Sequence, residues 1–186
     1  MFDLPEGLVY EPGFLAAGEE AELVRIFHGL PFASYDWHGY TARRRVLEFG
    51  LEYDFNTHKA TPAQDFPEFL IPVRERAARF AGLAAASLVE GMVSEYTPGA
   101  PIGWHRDAPQ FGTIIGISLG GESRMRFRPY KAEGKPVTLL LEPRSLYILR
   151  GAARWRFQHS IPAVKELRYS ITFRTLRGQE ERHEAA

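Results

Sequence analysis

The chain has 186 residues, 45% hydrophobic and 13% aromatic, with a formal net charge of zero. That length and apolar content suit one domain with a proper core and exclude a disordered chain. There is no cysteine, which excludes disulfides, iron–sulfur clusters and cysteine zinc sites and leaves His and carboxylates as metal ligands.

The zero net charge hides an uneven distribution. Residues 1–30 carry six acids against Arg25 alone, whereas residues 101–177 carry fourteen Lys or Arg against five Asp or Glu. Nineteen of the twenty-three basic residues are Arg. This is either the codon preference of a GC-rich coding sequence or a phosphate-binding face. With no basic segment leading an apolar run and no stretch of membrane-spanning length, the expected location is cytoplasmic.

Residues 1–16 read as extended and turn-rich, broken by Pro5, Gly7, Pro12 and Gly13. A first helix is predicted from Gly18 to His28: Glu19, Glu20 and Glu22 suit its positive end, and Leu23, Ile26 and Phe27 form an apolar stripe. Residues 32–60 mix aromatics (Phe32, Tyr35, Trp37, Tyr40, Phe49, Tyr53, Phe55) with Arg43, Arg44 and Arg45, and the alternation after Val46 predicts a strand following a loop. Such a mixture is either ordinary packing under a charged rim or a stacking and phosphate-binding platform. A second helix is predicted from Pro67 to Ala81, where Pro72 either kinks it or opens a fresh helix.

From Gly91 onward the pattern is short strands and turns without a helical period. Strands are expected at Met92–Tyr96, Ile102–Asp107, Thr113–Leu119, Arg124–Arg128, Val137–Leu141, Ser145–Leu149, Trp155–Ser160 and Arg168–Thr175. Gly120-Gly121 marks a hairpin, and Pro143 stands second in a turn. Eight close-set strands predict a sandwich or a jelly roll.

Within this region His105-Arg106-Asp107 and the distant His159 form the ligand set of a 2-His-1-carboxylate facial triad, the arrangement that holds Fe(II) and leaves coordination positions open. On an extended segment His105 and Asp107 share a face. In the last strand Tyr169, Ile171 and Phe173 alternate with Arg168, Ser170, Thr172 and Arg174. Taken alone, this is a strand whose arginines face water. Turned inward, its arginines need an anionic partner, and a small dicarboxylate beside the metal would supply one.

Four blocks in order, Ser94-Glu95-Tyr96-Thr97-Pro98-Gly99, Ile102-Gly103-Trp104-His105-Arg106-Asp107, Gly151–Arg154 leading to His159-Ser160-Ile161-Pro162, and Arg168–Arg174, closely resemble the AlkB family of Fe(II)- and 2-oxoglutarate-dependent dioxygenases. The resemblance is strong over residues 90–177 and looser before them. It implies a mainly β fold with flanking helices, with residues 91–177 as a double-stranded β-helix (jelly roll), residues 1–90 as an extension bearing a nucleotide-recognition lid, and 178–186 as a tail. It implies His105, Asp107 and His159 as Fe(II) ligands and catalytic centre. Arg168, Tyr96, Arg174, Ser94 and Ser170 correspond to the 2-oxoglutarate contacts, with O2 as the other cosubstrate; the family usually has Asn where Ser94 and Ser170 stand. Trp37, His38, Tyr40, Arg43, Arg44, Arg45 and Trp104 correspond to substrate-binding positions. The activity implied is oxidative dealkylation of damaged bases in single-stranded or flipped-base DNA or RNA by a monomeric protein.

Ala108-Pro109-Gln110 lacks the acidic residue that follows the family motif, which leaves the target base open. The run Arg43–Gly50 also resembles a segment of homologues that hydroxylate tRNA wobble uridines, and other relatives act on protein side chains. A jelly roll that binds without turnover is the third alternative, against which the complete triad and both arginines count.

Overall fold

The computed structural model describes residues 4–37, 40–54 and 59–178. Its strands are β1 (Leu8–Glu11), β2 (Ala33–Trp37), β3 (Tyr40–Phe49), β4 (Leu51–Asp54), β5 (Lys59–Pro62), β6 (Leu88–Tyr96), β7 (Ile102–His105), β8 (Phe111–Gly120), β9 (Ser123–Pro129), β10 (Val137–Leu141), β11 (Leu146–Leu149), β12 (Phe157–Ile161) and β13 (Arg168–Leu176). The helices are α1 (Ala17–Phe27), α2 (Ile71–Ala81) and α3 (Gly151–Trp155). A seven-stranded sheet in the order β1-β11-β8-β13-β6-β3-β2 faces a four-stranded sheet in the order β10-β9-β12-β7, and β4 and β5 form a separate hairpin. Two facing antiparallel sheets make a jelly roll.

Two apolar layers hold this arrangement, one on each face of the large sheet. On the outer face Leu23 and Phe27 of α1 and Val73 and Ala77 of α2 pack against Val93, Ile115, Ile171 and Phe173. Between the sheets, Ile114, Tyr147 and Leu149 meet Met125, Phe127, Leu141 and Ile161. The period-two pattern of β13 is divided between these layers. Its odd residues serve the helices, and its even residues Arg168, Ser170, Thr172 and Arg174 are buried on the side that faces the small sheet. Ile171 and Phe173 are both fully buried, worth about 1.5–3 kcal/mol each in hydrophobic burial.

Several boundaries differ from expectation for identifiable reasons. Helix α2 starts at Ile71 and not at Pro67, because Pro72 sits in its first turn, where the missing N–H costs nothing. The short helix α3 interrupts a region expected to be free of helix, so the strand carrying His159 begins at Phe157 and not at Trp155. Leu8–Glu11 is a strand because it pairs with β11 at the edge of the large sheet.

Arg43–Arg45, expected on a loop and lid, lie inside β3, which continues the large sheet beyond β6. Gly50, at φ 74°, turns the chain out of β3, and a Cβ there would stand 2.3 Å from the Val89 carbonyl oxygen. His38 and residues 55–58 and 179–186, most of the expected tail, lie outside the described residues. No described helix is long and apolar enough to cross a membrane.

Candidate active site

His105 and His159 are direct register partners across β7 and β12, with ring centroids 4.3 Å apart. Asp107 does not lie on β7, which ends at His105. The loop that carries it is fastened by Arg154 of α3, 3% exposed, which donates to the carbonyls of Ala108, Phe111 and Gly112 at 2.8, 2.8 and 3.0 Å. A potential ligand atom from each of His105, Asp107 and His159 lies within 4.8 Å of the others. The His105 Nδ1 is 2.9 Å from the Gly103 carbonyl, to which it donates, leaving Nε2 as the coordinating nitrogen.

The Asp107 carboxylate is oriented from behind. Arg174 donates to its Oδ1 through Nε at 3.0 Å and Nη2 at 2.8 Å, and through Nη1 to both oxygens of Glu90 at 2.6 and 2.7 Å. Oδ2 then points toward His159 Nε2, 3.6 Å away. Burial alone would raise Asp107, but Arg174, with smaller help from His159, holds it well below the usual carboxylate range. Burial works against the charge of Arg174, yet Glu90 and Asp107 hold it above the ordinary arginine range. Burial pushes His159 down to about 3, with His105 adding to the shift, and burial also lowers His105. Both rings are therefore neutral and able to coordinate at neutral pH.

A second group of polar residues lies deeper between the sheets. Arg168 is fully buried; its Nε donates to Ser118 Oγ at 3.0 Å, and its guanidinium lies 4.9 Å from the Tyr96 ring centroid. Its two terminal nitrogens are buried without a partner among the described residues, as is Ser94 Oγ. Two parallel N–H donors in a dry site are the complement of a carboxylate. Tyr147 lines the pocket beside the triad, its hydroxyl pushed up by burial, and Gly116 makes room for it: a Cβ there would fall 2.1 Å from the ring. The pocket, partly open to solvent, is lined by the triad, Ser94, Tyr96, Ser170, Arg174 and Arg44, among others.

The remaining expected substrate residues are dispersed. Arg44 lines the pocket, while Arg45 turns to the other face and pairs with Glu95 at 2.6 Å. Arg43 packs over Gly99. Trp37 and Tyr40 face each other where β2 meets β3, and their side chains lie outside the described residues. Trp104 precedes His105 on β7, so its side chain leaves the opposite face of the small sheet and is not among the residues lining the pocket. Reading the sequence missed Glu90, Ser118, Tyr147 and the fastening role of Arg154. Strand register places the first three, and the fold of the loop after Asp107 against α3 gives Arg154 its role.

Residues 7–174 match the 2OG-Fe(II) oxygenase superfamily. The "Alpha-ketoglutarate-dependent dioxygenase alkB homolog 7, mitochondrial" of Bos taurus is 34% identical over 164 residues, 85% of this chain and 68% of that protein. The chain belongs to the AlkB-type 2OG-Fe(II) oxygenases.

The "Alkylated DNA repair protein ALKBH8 homolog" of Arabidopsis thaliana is 28% identical over 86% of this chain and 51% of its own length. The chain thus spans about half the length of that relative, as it does of a mimivirus protein, of which it covers 50%. In fold, the structure of OsALKBH1 superposes with a TM-score of 0.74 at 18% identity, covering 94% of this chain and 99% of that one. A Trichoplax adhaerens prolyl hydroxylase superposes with a TM-score of 0.65 at 14% identity, covering 94% and 85%.

The family uses Fe(II), 2-oxoglutarate and O2, and the residues of this chain fit them. The neutral histidines and Asp107 form a facial ligand set, and the unpartnered fork of Arg168 awaits a carboxylate. Because both imidazoles titrate below their ordinary range, protons compete poorly for them. Affinity for Mn(II), measured by electron paramagnetic resonance, is expected to fall less between about pH 7.5 and 6 than it would for ligands with the usual histidine pKa of about 6.5. A loss of tenfold or more across that interval would contradict these shifts.

Proposed function

We propose that the chain oxidatively dealkylates damaged nucleobases in DNA or RNA, taking the target as a single-stranded or flipped base. The observation that carries this reading is Arg44. It brings a cation to the wall of a pocket whose other walls include Met92, Ile102, Ile114, Met125 and Ile161, beside the metal-binding triad. A pocket that joins these apolar walls to the polar triad, with Arg44 and Arg174 both among its lining residues, suits a flat, polar heterocycle attached to a phosphate backbone. The name of the Arabidopsis relative, which aligns over most of this chain, points the same way.

When bound, Fe(II) with 2-oxoglutarate and O2 supplies the oxidation: the keto acid leaves as succinate and CO2, and a C–H bond of an N-alkyl group becomes C–OH. The chain's own groups prepare for this. Arg168, held by Ser118, binds the distal carboxylate of the cosubstrate, and Tyr96 lies against the same guanidinium. Arg174 keeps Oδ1 of Asp107 occupied and leaves Oδ2 for the metal. The apolar walls exclude water around the target. A hydroxymethylated ring nitrogen then releases formaldehyde and regenerates the base without further help.

Mass spectrometry of methylated and etheno-modified DNA and RNA oligonucleotides, incubated with protein, Fe(II), 2-oxoglutarate and ascorbate, tests the reading. One alkyl group lost per succinate formed is the expected result. Succinate release with every oligonucleotide unchanged would overturn it. A one-oxygen mass gain on tRNA would favour the second reading, wobble-base hydroxylation. That reading is supported by similarity to the Xenopus tropicalis "tRNA (carboxymethyluridine(34)-5-O)-methyltransferase alkbh8", 26% identical over 87% of this chain but only 26% of that protein.

A further inference from the structure

The outer face of the small sheet, directly behind the metal-binding strands, is built from cations and aromatic rings. On β9 the residues Ser123, Met125 and Phe127 are buried, so Arg124, Arg126 and Arg128 all leave the opposite face. Register places Arg126 beside Ser160 and Arg128 beside Gln158 of β12, and each arginine uses its Nε to donate there, at 3.2 and 3.0 Å. The same two guanidiniums lie 5.1 and 4.4 Å from the centroid of Trp104, on the next strand but one. Just beyond, Arg106 stacks on Tyr130 at 3.7 Å, with Lys131 at 5.2 Å from that ring.

None of these five cations is ion-paired with a carboxylate among the described residues. Glu122 and Glu133, their neighbours in sequence, reach none of them. An isolated arginine on a surface strand is ordinary. Three arginines on one sheet face, with Arg106 and Lys131 on the segments that follow β7 and β9, repel one another without a counter-charge, and an anionic partner relieves that repulsion.

We propose that this face is a docking surface for the phosphate backbone of single-stranded nucleic acid. Side chains two residues apart on a strand stand about 6.6 Å apart, close to the phosphate step of an extended single strand. The Nε contacts to Ser160 and Gln158 leave the terminal nitrogens of Arg126 and Arg128 to receive phosphate oxygens bidentately. Trp104 and Tyr130, half-buried among the cations, offer rings to unpaired bases, which a duplex keeps stacked on each other. The face carries a single exposed large apolar residue, Leu140 at 38% exposure, too little to anchor a membrane. Trp104 adjoins His105 on β7, the edge strand of its sheet, so a strand with one base in the pocket passes this edge onto the outer face. The inference rests on the nucleobase reading for its partner, and the surface lies outside the pocket.

The test is fluorescence anisotropy of short labelled single-stranded DNA and RNA binding to the Mn(II)-loaded protein over a range of salt. Wild type is compared with the Arg124→Gln/Arg126→Gln/Arg128→Gln protein and with Arg124→Glu, a single change at an exposed side chain. The triple variant is expected to bind at least tenfold more weakly at low salt, with the slope of log affinity against log salt reduced by about 2, near 0.7 per lost phosphate contact. Arg124→Glu should weaken binding in the same sense. Uncoupled turnover of 2-oxoglutarate should be unchanged in both, which also verifies folding.

Wild-type affinity and salt slope in both variants would overturn the proposal. So would arginine-dependent binding to phosphatidylserine vesicles as tight as to the oligonucleotides, which would make the face a membrane surface. Arginine-dependent binding without base oxidation would support the surface and remove the proposed substrate. Dealkylation unaffected by the triple change at every salt concentration would remove the surface and leave the substrate.

Discussion

Exchanging Arg168 for lysine is expected to weaken 2-oxoglutarate binding roughly ten- to a hundredfold while metal affinity stays unchanged. Arg168 is fully buried, its Nε committed to Ser118 and its two terminal nitrogens unsatisfied. A buried donor without a partner is costly, so the site is poised for a ligand that supplies two acceptor oxygens. Lysine keeps the charge but presents a point donor on a flexible stem, and cannot hold Ser118 while presenting a fork. Loss of a charge-assisted contact typically costs about 1.5–3 kcal/mol, which sets the expected factor. Anaerobic titration of the Fe(II) protein with 2-oxoglutarate, following the visible charge-transfer band of the chelated keto acid, measures it directly. An unchanged affinity in the lysine variant would remove Arg168 from the cosubstrate site.

Replacing Glu90 with alanine should be among the most damaging single changes outside the apolar core. Glu90 is 2% exposed, and both its oxygens are engaged by Nη1 of Arg174. Removing one partner of a buried ion pair leaves the other charge uncompensated, which typically costs about 3–5 kcal/mol. Because Arg174 keeps Asp107, the lower part of that range is expected, and the full range corresponds to a fall in Tm of roughly 6–20 °C for a chain of this size. Calorimetry of the metal-free protein reads the stability, and Mn(II) titration reads the second consequence. With Arg174 released on one side, Asp107 loses its fixed orientation and metal affinity falls. Glu90→Gln, which preserves the shape, should lose less stability than Glu90→Ala. Wild-type Tm and metal affinity in the alanine variant would show that Arg174 does not need this partner.

Much of the site is legible in the sequence by itself. The His105-x-Asp107 spacing with a distant His159, and the alternation of Tyr169, Ile171 and Phe173 with Arg168, Ser170, Thr172 and Arg174, are local patterns. The chemistry of a 2-His-1-carboxylate set and the two-residue period of a strand read them directly. Eight short strands between turns pointed to a sandwich or a jelly roll for a similar reason, since strand and turn preferences act over a few residues, and the family resemblance selected the jelly roll.

Local patterns could not say which face of β13 meets water, because helices cover one face and a second sheet covers the other, so neither does. They misplaced Asp107 on the strand, since its position is set by Arg154 and Arg174, which lie 47 and 67 residues away. Arg43, Arg44 and Arg45 look like one basic cluster in the chain. Inside β3 they alternate, which sends Arg44 to the pocket and Arg45 to Glu95, 50 residues on. Trp104 and His105 are adjacent in the chain and leave opposite faces of one strand. Glu90, Ser118 and Tyr147 carry no signature of their own. Each gains its role from a partner brought alongside by register between strands distant in sequence, because long-range pairing of this kind is a property of the assembled sheets and of no single segment.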